Sequence, residues 1–166
     1  MIKIKVKLGS IVEEETDAIV CPSNSYGIMG GGVAKIIRTV GGAMIEADAV
    51  RKAPIPLGQA LITDGGMLPS RYVIHSPTMK LPEGAATEEN IRKSVNAALK
   101  VAEDNNISSI SMPGMGTGIG GFEPIDAANI MIDEIRKFKA KFLKEVILID
   151  ISEIMVNAFN DAVEEK

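Results

Sequence analysis

Met112-Pro113-Gly114-Met115-Gly116-Thr117-Gly118-Ile119-Gly120-Gly121-Phe122 is a glycine-dense turn between two stretches of different periodicity. Before it, Ile107, Ile110 and Met112 read as a buried strand. After it, Pro124 opens a helix whose apolar face is Ala128, Met131, Ile132 and Ile135. Proline suits the first helical position because its missing N–H would have no partner there. A turn this poor in side chains lays its peptide N–H groups against whatever fills the space in front of it, and a row of such groups favours an anion. The bland alternative is a flexible surface loop without function, and a second copy of the design earlier in the chain argues against it.

That copy starts at Asp17-Ala18-Ile19-Val20-Cys21, a run that reads as a short strand buried on both faces and stopped by Pro22. Ser23 to Gly32 form a polar, glycine-rich loop. Val33, Ile36, Ile37 and Val40 follow at helical spacing, and Gly41-Gly42 end the helix. The remaining elements fit around these two units. Ile2, Ile4, Val6 and Leu8 alternate with Lys3, Lys5 and Lys7, the pattern of an edge strand whose outward lysines discourage pairing with other chains.

Residues 43–53 predict a short helix ended by Pro54 and Pro56. Ala60-Leu61-Ile62 and Tyr72-Val73-Ile74-His75 predict strands, the second closed by Pro77. Thr87 followed by Glu88-Glu89 has the chemistry of a helix start, a hydroxyl cap and then acids in the first turn. Val146 to Ile149 form a continuous apolar strand, and Ser152-Glu153 start a last helix. Strands alternating with helices over one 166-residue domain, residues 1–166, predict an α/β fold. The expected architecture is a three-layer α/β/α sandwich around a mixed, largely parallel central sheet.

Composition narrows the chemistry. Hydrophobic residues make up 46% and charged residues 24%, with no apolar run long enough to cross a membrane and no leader-like start, so a cytoplasmic protein without membrane attachment is expected. One cysteine and one histidine give no Cys/His metal cluster, and neither a metal nor a separate cofactor is expected. A formal charge of −4 with few aromatic residues argues against general nucleic-acid binding. An anionic ligand must then be held by backbone dipoles.

Several nucleotide motifs compete for the second loop. Gly116 to Gly121 satisfies G-x-G-x-x-G literally, and Asp150 ends the next strand, which opens a Rossmann-type NAD or S-adenosylmethionine reading. Against it, Pro124 falls within the first turns of the helix such a motif requires, and Asp150 lies beyond the usual spacing of about 20 residues. A P-loop fails, since no glycine precedes Lys35 and no hydroxyl residue follows it.

Gly9-Ser10-Ile11, Asp17 through Asn24, Gly30-Gly31-Gly32-Val33, Val73-Ile74-His75 and Pro113 through Gly121 together resemble, in order and over essentially the whole chain, the macro domain, an ADP-ribose-binding module. The resemblance implies that Asn24 contacts the distal ribose and that Gly30, Gly31, Gly32 and Val33 line that ribose and the diphosphate. It implies that Pro113, Gly116, Thr117, Gly118, Ile119 and Gly120 close over the phosphates. The partner it implies is ADP-ribose or an ADP-ribosylated small molecule or protein.

Several positions depart from the family pattern. Ser10 stands where an aspartate reads the adenine amino group, which leaves Ile11 to supply a backbone contact. Ile151 replaces an aromatic that stacks on adenine. Gly120 stands where some members carry an aromatic beside the distal ribose, with Phe122 close enough to substitute. Ala34 occupies the position of the aspartate of efficient ADP-ribosyl hydrolases, so a carboxylate base is missing there. If the chain is an enzyme, the resemblance implies an ADP-ribosyl hydrolase or ADP-ribose 1''-phosphate phosphatase (Appr-1''-p processing), with Asn24 as the candidate catalytic residue positioning water. The oligomeric state is not legible. His75 reads as a structural histidine, Cys21 as a buried small hydrophobe, and Met29 and Met115 as possible pocket residues within the loops.

Overall fold

The structure, a computed structural model, describes residues 1–81 and 84–165. Six strands form one sheet in the order β1-β6-β5-β2-β4-β3: β1 (Lys3–Leu8), β2 (Ala18–Asn24), β3 (Leu61–Asp64), β4 (Tyr72–Met79), β5 (Ser109–Met112) and β6 (Glu145–Asp150). All neighbouring pairs are parallel except β3 with β4. Helices α1 (Gly32–Gly41) and α2 (Met44–Lys52) cover one face; α3 (Glu88–Asp104), α4 (Pro124–Lys137) and α5 (Glu153–Glu164) cover the other. The predicted three-layer sandwich is therefore the observed one.

Alternation along the strands divides the core. Ala18, Val20, Ile74, Ile110 and Leu148 face the α3–α4–α5 layer, while Ile19, Cys21, Val73 and Ile149 face α1 and α2. The predicted caps are present: Thr87 Oγ1 accepts from Asn90 N at 3.1 Å, Ser152 Oγ accepts from Met155 N at 3.3 Å, and Pro124 opens α4.

Three expectations are corrected. β2 does not stop at Pro22, and β4 does not stop at Pro77; Pro22 lies opposite Ser76 and Ser23 opposite Pro77, and the register shifts before Asn24 pairs with Met79. Proline is tolerated in β2 because its ladder to β5 ends at Ile19↔Ser111, so the later residues need no donor toward that neighbour. Leu8 is exposed rather than inward-facing, at the end of the edge strand. On α1 only Ala34, Ile37 and Gly41 are buried, leaving Ile36 and Val40 outside the core.

The turn after β1 is also less solvated than its acids suggest. Glu14 is buried, taking the Lys7 ammonium at 2.7 Å and the Ser111 hydroxyl at 3.1 Å, which ties β1 to β5 across β6.

Candidate functional site

The C-terminal ends of β2, β4, β5 and β6 meet the two glycine loops around a cleft of about 710 Å³. Ser23 and Asn24 come from β2, Thr78 and Met79 from β4, and Asp150 and Ile151 from the end of β6. Gly30 to Ala34 form one wall and Gly114 with Gly116 to Gly120 the other. The ladder between β2 and β5 covers only Ala18↔Ile110 and Ile19↔Ser111, so the two strands part beneath this cleft. That parting is the crevice in which α/β folds place ligands.

Asn24 builds the first loop. Its Oδ1 accepts from Tyr26 N at 3.0 Å and Ile28 N at 3.3 Å, and its Nδ2 donates to Ile28 O at 2.8 Å. The loop is fastened again at Met29, whose N–H donates to Glu46 Oε2 at 2.6 Å while Arg38 holds the other carboxylate oxygen at 3.2 Å. Asn24 therefore lines the cleft with its carbonyl occupied twice over. One amide hydrogen remains for a ligand.

The second loop is held from below and behind. Gly114 N donates to Asp150 Oδ2 at 3.1 Å, Thr117 Oγ1 donates to Gly114 O at 3.0 Å, and Ala86 N donates to Gly120 O at 3.0 Å. Gly116 takes φ +78°, and a Cβ there would meet the Ala86 methyl at 2.9 Å, so the tight turn requires glycine on both counts.

What the loops offer a ligand is backbone. Among the described residues, the amides of Gly30 to Ala34 and of Gly116 to Gly120 donate to no backbone or side-chain acceptor. Among the described residues, no lysine, arginine or histidine lines the cleft, and the one ionisable side chain lining it is Asp150. An anion can be held here only by peptide dipoles, reinforced by the N-terminus of α1, which starts inside the first loop at Gly32. Helix α4 adds no second terminus to the cleft. α4 begins at Pro124, past the loop, and its Asp126 lines a separate groove of about 520 Å³.

A family profile described as Macro domain matches residues 20–131. The chain belongs to the macro domain family. A protein of Aquifex aeolicus is 51% identical over 156 residues, covering 94% of each chain. Among solved structures, an Oceanobacillus iheyensis macrodomain with MES bound superposes with a TM-score of 0.85 at 25% identity, over 96% of this chain and 89% of that one. A Trypanosoma brucei macrodomain in complex with ADP-ribose superposes with a TM-score of 0.87 at 27% identity, over 96% of this chain and 68% of that one.

Within this macro domain the cleft gathers Asn24, Gly30, Gly31, Gly32, Val33, Gly116, Thr117, Gly118, Ile119, Gly120 and Ile151 from the residues singled out in the sequence. Six others lie outside its lining. Ser10 precedes a 3-10 turn (Ile11–Glu13) and Ile11 packs into the α1-side core with Ile19, Cys21 and Ile37. Pro113 is buried. Phe122 lines the separate groove with Glu88, Arg92 and Asp126 and packs against the α3–α4–α5 core, its N–H donating to Gly116 O at 2.9 Å. Met29 and Met115 are fully buried and line neither space.

Residues missed in the sequence include Ile28, Ile36, Thr78, Met79 and Asp150. Thr78 and Met79 were hidden by ending β4 at Pro77. Ile36 carried a signal of its own, as an apolar residue on α1 beyond what the core face holds.

The macro domain's two conventional nucleophile or base candidates stand apart from the cleft. Cys21 is fully buried, and burial pushes its thiol up to about 12. His75 is fully buried, with Nε2 at 2.9 Å from Thr63 Oγ1; burial, and secondarily the Lys52 charge, push its pKa down to about 4. It is a neutral structural histidine at pH 7.

Proposed function

We propose that this macro domain binds ADP-ribose or an ADP-ribose derivative in the cleft between the two glycine loops. The observation that carries this reading is the pair of facing amide rows, Gly30 to Ala34 and Gly116 to Gly120, in a cleft without a cationic side chain. A diphosphate suits two such rows, since each of its phosphates can take several N–H donors at once. The distal ribose lies at the Asn24 end, where the remaining amide hydrogen of Nδ2 meets a hydroxyl, and adenosine lies at the Asp150–Ile151 end. The similarity over 96% of this chain to a Trypanosoma brucei macrodomain in complex with ADP-ribose supports the choice of ligand.

Hydrolysis of an ADP-ribosyl adduct is the second reading, and the geometry gives it less support. Ala34 lines the cleft with no carboxylate, and the Asn24 carbonyl already accepts two hydrogen bonds, so it is poorly placed to draw a proton from water. Any turnover would draw on the substrate's own phosphate and on positioning.

Calorimetric titration with ADP-ribose tests the binding reading. Saturable 1:1 binding is expected, and no heat at millimolar ligand would sink it. Tighter binding of NAD or S-adenosylmethionine would favour a cofactor-dependent enzyme instead.

A further inference from the structure

We propose that Asp150 recognises the nucleoside half of the ligand, its carboxylate accepting hydrogen bonds from the vicinal hydroxyls of the adenosine ribose. This rests on the ADP-ribose reading of the cleft.

Asp150 ends β6, and across the sheet β6, β5 and β2 are consecutive neighbours. Two strand spacings of roughly 4.8 Å each, widened where β2 and β5 part beyond Ile19↔Ser111, put Asp150 about 10 Å or more from the Asn24 end. The two residues therefore face different parts of an extended ligand. Among the described residues Asp150 is the one ionisable side chain lining the cleft, and a carboxylate has no donor to offer a phosphate. Beside a diphosphate it is repulsive, so what sits against it must be uncharged and rich in donors. A ribose diol fits, and a carboxylate at a strand's end is a recurring partner for nucleotide ribose hydroxyls in α/β folds.

The carboxylate is also fixed in place. Its Oδ2 accepts from Gly114 N at 3.1 Å and its Oδ1 from Ser152 N at 3.0 Å, which leaves further lone-pair capacity on each oxygen. The neighbours cannot do this work: Ile151 is apolar, and Ser10 and Ile11 do not line the cleft. Asp150 thus couples recognition to the loop, because the side chain that reads the ribose also fastens the start of the phosphate cradle.

The test compares ADP-ribose with an analogue lacking the 2′-hydroxyl of the adenosine ribose and with one carrying hypoxanthine for adenine, on the wild type and on Asp150→Asn, by calorimetry. A hydrogen bond to a charged acceptor corresponds to a preference of about ten-fold or more. The wild type is expected to bind the deoxy analogue at least about ten-fold more weakly than ADP-ribose, with little change for hypoxanthine. Asp150→Asn is expected to lose most of the hydroxyl preference. If Asp150 only fastens Gly114 and Ser152, the variant weakens all three ligands alike and keeps the wild-type ratios, which overturns the proposal. Discrimination by base rather than by hydroxyl overturns it too. Should Asp150→Asn fail to fold, the wild-type series still decides, since indifference to the 2′-hydroxyl refutes the assignment. Absence of any ADP-ribose binding removes the reading of the cleft and this assignment with it, whereas binding without hydroxyl preference removes this assignment alone.

Discussion

Ile119 lies against Gly31: a Cβ added to that glycine would sit 3.2 Å from the Ile119 Cδ1. The two loops thus touch across the mouth of the cleft through one half-exposed apolar side chain, and the width of the opening depends on the absence of a side chain at position 31.

Gly31 has φ −159°, an extended conformation open to any residue, so a substitution there acts by volume and not by backbone strain. Gly31→Val is expected to leave thermal stability close to that of the wild type and to weaken ADP-ribose binding about ten-fold, near 1.4 kcal/mol. Adding Ile119→Ala is expected to restore most of the loss, a coupling that a double-mutant cycle by calorimetry measures. Additive losses would show that the contact does not govern entry.

Asn24 has two separable jobs, shaping the loop with Oδ1 and donating with Nδ2. Asn24→Ala removes both, leaves the Tyr26 and Ile28 amides without their acceptor, and is expected to cost about 1–3 kcal/mol in a urea melt. Asn24→Asp keeps the acceptor but loses the donor to Ile28 O and brings a negative charge beside the phosphate cradle. It is expected to melt above Asn24→Ala while binding ADP-ribose far more weakly than the wild type. Wild-type affinity in Asn24→Asp would contradict the placement of the ribose.

His75 predicts an acid limb in stability. Burial holds its folded pKa near 4, below the ordinary 6.5, so between those values the unfolded chain takes up a proton that the folded chain refuses. Its contribution is fully present above about pH 6.5 and is lost as pH falls toward 4, amounting to about 3 kcal/mol at the end of that window. Urea midpoints of the wild type and His75→Gln, measured at pH 7 and pH 4.5, check this. The difference between the two pH values is expected to shrink in the variant, and an unchanged difference would assign the acid limb to other groups.

The sequence made the layers legible because most elements are delimited by chemistry that acts locally. Thr87, Ser152, Pro124 and Gly41 place helix ends at or within a residue of where the structure has them. Pro22 and Pro77 misled for the opposite reason: whether a strand tolerates proline depends on which neighbour needs its N–H, and that is a property of the sheet. The cleft's glycine walls were readable as motifs. Its floor was not, since Thr78, Met79 and Asp150 come together only through the strand order. Phe122 shows the same limit, because its ring packs against the α3–α4–α5 core, a contact set by tertiary structure.

The pairing of β1 with β6, from Lys3↔Glu145 to Leu8↔Asp150, joins the first and last strands of this sheet in chain order. During synthesis the lysine-rich strand has no neighbour until the other five have been made, so closing the sheet is a long-range event of the kind that slows folding. Until then β5 presents an open edge as well, and it has no lysines of the kind that discourage β1 from pairing with other chains. Truncation before Glu145 would therefore leave a chain that keeps both glycine loops in sequence yet carries two unpaired strand edges, and the expected outcome is aggregation on release from the ribosome.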